Sequence, residues 1–207
     1  MQLIQNLKWR YATKKMDATK KVSNDNIAYI KEAIRLSASS YGLQPYKILE
    51  IKNPKLREEL KPLSWNQAQI TDASHLFVFC NAIEVTEIDV DNLIKLKSKI
   101  NSIPIEKISG YGDFIKEKLK EKSETEMFHW TAKQTYIALS NAMNACAELQ
   151  IDCTPMEGFE NDDYNQKLGL TKKGLNACVL LAVGYRHSED SSQNSKKVRK
   201  SIDTIFE

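Results

Sequence analysis

The sequence predicts an α+β sandwich in which a small sheet is outweighed by helices. Three observations lead there. Two uninterrupted apolar runs of strand length, "HLFVFCNA" (75–82) and "NACVLLAVGYR" (176–186), read as central buried strands. Segments with apolar residues at helical spacing lie around them. Glycine and proline are sparse, 7 and 5 in 207 residues, which favours helix over turn-rich β structure.

Residues 2–8 form an amphipathic helix ending at the polar "KWRYATKK". In "SNDNIAYIKEAIRLS", Ser23 and Asn24 are capping candidates, and Ile27, Ile30 and Ile34 follow at helical spacing. That helix stops at the small-residue loop "SASSYGLQP". "YKILEI" (46–51) alternates like a strand, and "NPKLREELKPLS" is a short charged helix after a turn. From about 84 to 126 the chain turns Lys-rich. Here "DVDNLIKLKSKI" and "FIKEKLKEKSE" predict a pair of helices around a mobile loop that includes "NSIPIEK" and "SGYGDF", an insertion within one domain spanning 1–207.

The stretch 125–150 is a long helix. Phe128, Ala132, Tyr136, Leu139, Met143 and Ala147 mark one face, while Ile137, Ala138, Ala142, Cys146 and Leu149 fill others. A helix apolar on several faces belongs in the middle of a structure or in a subunit interface. After it, "TPMEGF" (154–159) cannot continue a helix and makes a poor strand. No strand is followed by the G-x-G-x-x-G turn of a dinucleotide-binding unit.

The net charge of +3, from 30 basic and 27 acidic residues, gives a weak average field. The C-terminal "SKKVRK" suits solvation or phosphate contact better than sequence-specific nucleic-acid binding. Cys80, Cys146, Cys153 and Cys178 form no C-x-x-C pair and read as reduced, buried thiols of a cytoplasmic protein. There is no signal-peptide pattern and no apolar stretch of about 18 residues, so no membrane association is expected. His75, His129 and His187 are scattered and read as structural or exposed, and no metal site or catalytic triad is expected. A chain without a side-chain constellation of its own is often one whose cofactor carries the chemistry. Two basic pairs stand out, Arg10 with Lys14 and Lys197 with Arg199. They can converge on one phosphate, or they can be unrelated solvated clusters.

"RYATKKMD", "SASSYGLQPYK", "WNQAQITDASHLFVF", "TPMEGF" and "KKVRK" occur in this order along nearly the whole chain, weakest between about 84 and 125. The set resembles the nitroreductase family, in its bacterial oxygen-insensitive NAD(P)H nitroreductase branch, which also contains dihydropteridine reductases. The resemblance implies a small, mostly antiparallel sheet flanked by helices. It also implies a homodimer with FMN at the subunit interface, with the long helix building much of that interface. NADH or NADPH reduces the flavin through N5 and leaves, and a nitroaromatic, a quinone or another small flat acceptor then takes the electrons.

By the same resemblance, Arg10, Lys197 and Arg199 hold the phosphate, and Lys14 reaches toward the ribityl chain and ring. Ser39 and Ser40 touch the partner's flavin, and Asn66 bonds the pyrimidine edge. Met156, Glu157 and Gly158 line the N5 side. Tyr11, Ala12, Gly42, Gln69 and Pro155 complete the implied set. Three positions depart from the family pattern. Gln69 replaces a lysine near N1 and O2, Ala12 replaces a hydroxyl residue, and Gly42 with Leu43 stands where relatives often have an Asn. Glu157 has no obvious partner in the sequence, so the main chain at Glu157 and Gly158 is expected to face the flavin, with Gly158 allowing close approach to the ring. A flavin-binding sensor or storage protein with little turnover, or a dihydropteridine reductase, is the alternative. A nucleic-acid partner is not expected.

Overall fold

A computed structural model describes residues 1–207. Helices α1 (Gln2–Trp9) and α2 (Asn24–Arg35) precede β1 (Tyr46–Glu50), and α3 (Pro54–Leu60) and the one-turn α4 (Gln69–Asp72) lead to β2 (His75–Ala82). Next come α5 (Glu87–Asn101), α6 (Ser109–Lys120) and the 25-residue α7 (Glu124–Glu148), then β3 (Asp152–Met156), α8 (Asn161–Leu168), β4 (Leu175–Gly184) and α9 (Ile202–Ile205). The sheet is antiparallel throughout, in the order β1-β2-β4-β3.

The two apolar runs are the paired central strands. Their side chains alternate between faces, as a pleated strand requires. Leu76, Val78, Cys80, Leu180 and Ala182 point into a core with Leu60, Ile70, Tyr164 and Leu170. Phe77, Phe79, Val179, Leu181 and Val183 point into the opposite core, closed by Ile27, Ile30 and Ile34 of α2 and Ala138, Leu139, Ala142 and Cys146 of α7. Ser23 caps α2 through a hydrogen bond from the Asn26 N–H, and Ser123 with Glu126 forms a capping box that starts α7. No helix is long and apolar enough to cross a membrane.

Three local expectations need correction, and one helix joins the elements expected. "DCTPM" is a strand after all, with Pro155 opposite Leu181. It lies at the sheet edge, where a residue without an N–H leaves no inner ladder bond unmade. "SGYGDF" is the first half of α6 and not loop. Gly112 is buried there, and a Cβ would stand 2.8 Å from Ile94 Cγ1, so glycine lets α5 and α6 pack closely. The acidic "NDDYNQKL" forms α8, with Asp162 and Asp163 in its first turn and Gly169 closing it at φ 61°. Finally, Cys178 is only half buried, unlike the other three thiols. Between Phe79↔Val179 and Cys80↔Ala177 it is the unpaired residue of a β-bulge.

The chain ends are tied to the sheet by two carboxylates. Asp152, at the start of β3, accepts the Arg186 main-chain N–H at 2.8 Å and the guanidinium at 2.6 Å. The Arg186 guanidinium in turn lies 4.6 Å from the ring centroids of both Trp9 and Tyr11. Asp190 Oδ2 accepts the N–H of Lys14 at 2.9 Å, the N–H of Lys15 at 3.3 Å and the Tyr11 hydroxyl at 3.3 Å. Burial pushes the Asp190 carboxyl up, yet these donors and the Ser192 N–H together hold it below the usual carboxylate range.

Removing Asp152 leaves Arg186 without its partner. Asp152→Ala is expected to lower the unfolding free energy by about 3–5 kcal/mol. Lys31→Ala, which breaks the outer ion pair with Glu50, costs below about 1 kcal/mol. Urea denaturation of the two variants checks the contrast. Asp190 has a folded pKa below its unfolded value, so its contribution is present above about pH 4 and fades as pH falls through the folded pKa. Asp190→Asn is therefore less stable than wild type at pH 7, and melting curves should show the gap closing on acidification below about pH 4.

Candidate functional site

The two basic pairs do meet in part. The Lys197 ammonium donates to the Leu7 carbonyl at 2.6 Å and to the Arg10 carbonyl, closing the C-terminal end of α1 with a cation. Burial, reinforced by the positive charges of Arg10 and Arg199, pushes the Lys197 amine below the usual lysine range. Arg199 is exposed, with Nη1 bonded to the neighbouring Val198 carbonyl at 2.6 Å. Arg10 extends inward beside the Cys153 thiol, and its Nε is buried without a hydrogen-bond partner. Arg10, Lys197 and Arg199 take part in no ion pair with a carboxylate. Lys14 is exposed, and only its main-chain N–H is engaged, by Asp190.

Between these cations and the sheet runs the 11–13 segment. Tyr11 turns its hydroxyl to Asp190 and its ring to Arg186. The main chain at Ala12 forms a parallel bridge to Cys153. The Thr13 carbonyl accepts from Thr154 Oγ1 at 2.6 Å and from Gln69 Nε2 at 3.2 Å. Gln69 is thus buried and committed to the segment that carries Arg10.

Asn66 follows Trp65 in a left-handed pair, φ 57° and 53°, and stands exposed with its N–H bonded to the Lys61 carbonyl at 3.0 Å. The same loop grips the turn after β3. Gln67 Nε2 donates to the Gly158 carbonyl at 2.8 Å, and Trp65 Nε1 donates to Glu160 Oε1 at 2.8 Å. A Cβ on Gly158 would stand 2.7 Å from the Trp65 ring. Within the chain, glycine at 158 leaves room for this indole, a reason the sequence did not reveal. Pro155 and Met156 close β3 just before the turn. Asn66, Pro155, Met156, Glu157 and Gly158 are therefore neighbours, joined to Arg10 through β3, Thr13 and Gln69.

Ser39, Ser40 and Gly42 lie elsewhere. Ser39 Oγ accepts the Gln44 N–H at 2.9 Å, Ser40 donates its N–H to Gln134 Oε1 at 2.8 Å, and Gly42 adopts φ 78°. Gln134 and Tyr136 are two residues apart on α7, which places them about 200° apart around its axis. Tyr136 points to Glu157, so the Ser40 loop and the Glu157 turn flank opposite sides of one helix. The structure thus brings the cations, Gln69, Asn66 and the 155–158 turn to one side of the chain and leaves Ser39, Ser40 and Gly42 on another.

Glu157, for which the sequence offers no obvious partner, has one in the fold: the Tyr136 hydroxyl donates to its carboxylate at 2.5 Å. Sequence reading also passed over Gln134, Trp65, Gln67 and Asp190. A buried glutamine on an Ala-rich helix was the one available signal, since the others matter only through contacts distant in sequence.

The residues fit a phosphorylated flavin. A cluster of cations without carboxylates, with a buried guanidinium nitrogen left unpaired, suits a phosphate that supplies the missing acceptor oxygens. The sequence profile of the Nitroreductase family matches residues 7–185. The chain is 33% identical over 211 residues to the major NAD(P)H-flavin oxidoreductase of Aliivibrio fischeri, covering 99% of this chain and 97% of that one. Its fold superposes with a TM-score of 0.86 on a nitroreductase-like protein of Streptococcus mutans, at 20% identity over 99% and 96% of the two chains. A protein of Exiguobacterium sibiricum solved in complex with FMN gives 0.84, at 19% identity over 99% and 96%. The chain belongs to the nitroreductase family.

Proposed function

We propose that this chain is an FMN-dependent NAD(P)H oxidoreductase that works as a homodimer and passes electrons to nitroaromatics, quinones or related flat acceptors. The observation that carries the reading is the meeting of Arg10, Lys197 and Arg199, from opposite ends of the chain, without a carboxylate among them. Arg10 and Lys197 would hold the phosphate by charge-assisted hydrogen bonds, and Arg199 would add charge at the rim. Lys14 reaches toward the ribityl chain, and Asn66 toward the pyrimidine edge. The main chain at Glu157 and Gly158 would line the N5 side. When bound, FMN supplies two-electron transfer at N5 between a nicotinamide and the acceptor, chemistry that no side-chain constellation here provides.

A second copy supplies the rest. Ser39, Ser40 and Gly42 lie on the far side of α7 from the Glu157 turn, which supports the reading that they serve the partner's site. Leu3, Ile4 and Leu7 of α1 and Tyr136 and Ile137 of α7 are large apolar residues exposed in the single chain. So are Val198, Ile202, Ile205 and Phe206 of the C-terminal tail, and apolar exposure on this scale marks an interface. Tyr111 and Phe114 of α6 are exposed and stacked with ring centroids 6.4 Å apart, which supports the reading of the α5–α6 pair as the cover of the acceptor slot.

Purified protein is expected to be yellow and dimeric, and its flavin to bleach on anaerobic mixing with NADH or NADPH. A colourless protein that stays so after FMN addition overturns the reading. Bound flavin that neither nicotinamide reduces favours the sensor alternative. Arg10→Ala and Lys197→Ala should each weaken FMN binding about 10- to 100-fold, the scale of one lost charge-assisted hydrogen bond, as read by flavin fluorescence titration. Gly158→Val drives a side chain into Trp65 and should lose flavin from a protein that still folds, as judged by circular dichroism. Gln69→Lys places positive charge near the reduced ring and should raise the flavin reduction potential by spectroelectrochemistry.

A further inference from the structure

The turn after β3 is held from two sides. On one, the 63–67 loop makes several contacts: the Glu160 N–H donates to the Leu63 carbonyl at 2.9 Å, Gln67 to the Gly158 carbonyl, and the Trp65 ring packs on Gly158. On the other, a single side-chain hydrogen bond joins the turn to α7, from the Tyr136 hydroxyl to Glu157 Oε1 at 2.5 Å. Glu157 takes part in no ion pair, so the phenol is its one close donor. The nearby Cys178 thiol, at the bulge of β4, donates nothing to it. Burial first, and the Glu157 charge after it, push that thiol up and keep it neutral. Burial and the same carboxylate likewise keep Tyr136 protonated as a donor. The exposed Glu157 carboxylate thus has one phenolic O–H as its side-chain partner within the chain, at the turn proposed to lie along the flavin.

We infer that Tyr136 is a positioning residue, which through its bond to Glu157 fixes the Met156–Gly158 turn and sets the reduction potential of the flavin held there. The inference rests on the proposed function, since it takes this turn to line the flavin. The physical reason is electrostatic. Reduction of a flavin adds electron density to the ring, and an unrelieved carboxylate nearby opposes it. The phenol takes up part of that charge. It also anchors the turn to a helix of 25 residues, so the carboxylate is held at a fixed place.

Two variants separate this role from simple packing. Tyr136→Phe keeps the ring and removes the one side-chain donor that the chain offers the Glu157 carboxylate. It is expected to lower the flavin potential, shifting the two-electron equilibrium toward oxidised flavin by roughly tenfold, about 30 mV. Glu157→Gln removes the charge while its amide oxygen still accepts from the phenol, and it is expected to raise the potential by a comparable factor. In the double variant the effect of Tyr136→Phe should shrink, because the charge it relieves is gone. Spectroelectrochemistry of the FMN-loaded protein reads all three, and FMN titration checks that each is loaded. Opposite shifts and a reduced effect in the double variant support the inference. Shifts of the same sign, or an unchanged potential in Tyr136→Phe with FMN bound as in wild type, overturn it and leave the flavin reading standing. Wild-type protein that binds no FMN overturns both.

Discussion

The structure depends most on one buried ion pair, Asp152 with Arg186, and on the carboxylate of Asp190 that extends it. Asp152 opens the edge strand and Arg186 follows the last central strand, so their bond locks β3 against β4 at the end where the N-terminal segment arrives. Arg186 stacks on Trp9 and Tyr11, and Asp190 gathers the main chain of Lys14 and Lys15. A charge buried this far is stable only when its partner and its remaining donors are in place. The network therefore specifies one arrangement of the chain ends, and that arrangement carries Arg10 to Lys197.

The second organising element is α7. Its buried side supplies the small residues that let it lie close on the sheet, Ala138, Ala142 and Cys146 among them. Between these, its polar residues address the neighbouring loops. Thr131 donates to the Ala82 carbonyl at 2.6 Å, Gln134 accepts from the Ser40 loop, and Tyr136 donates to the Glu157 turn. A helix with its ladder intact is a rigid ruler, about 1.5 Å per residue. Two loops fixed to it on opposite sides keep a constant spacing. In the proposed dimer, that spacing would relate the flavin each chain holds to the one it helps its partner hold.

The central fold was legible because its signals are local. A continuous apolar run gave β2 to the residue, and the 3.6-residue spacing of Ile27, Ile30 and Ile34 gave the buried face of α2. Features that violate a local preference were misread. Proline argues against a strand unless an edge is available, and glycines argue against a helix unless a neighbour must approach closely. Pro155 and Gly112 are those two cases, and each is explained only by what lies beside it. The ordered motifs named the candidate residues, but they did not reveal that Gln69 is spent on the Thr13 carbonyl or that Trp65 is what Gly158 makes room for.

The sequence by itself determined the longer amphipathic helices α2 and α7, the two central strands, the identity of the cationic residues and the family they point to. These follow from steric preference and side-chain periodicity, which act over a few residues. Only the tertiary structure decided which cations share a place, that the "TPMEGF" turn ends an edge strand, and that Glu157 has a phenol for a partner. The Lys197 to Arg10 bond spans 187 residues of sequence. No local rule selects such a pair. It forms because the sheet, closed by buried apolar surface, leaves the two ends of the chain at one edge, where an ammonium can satisfy the last carbonyls of a helix.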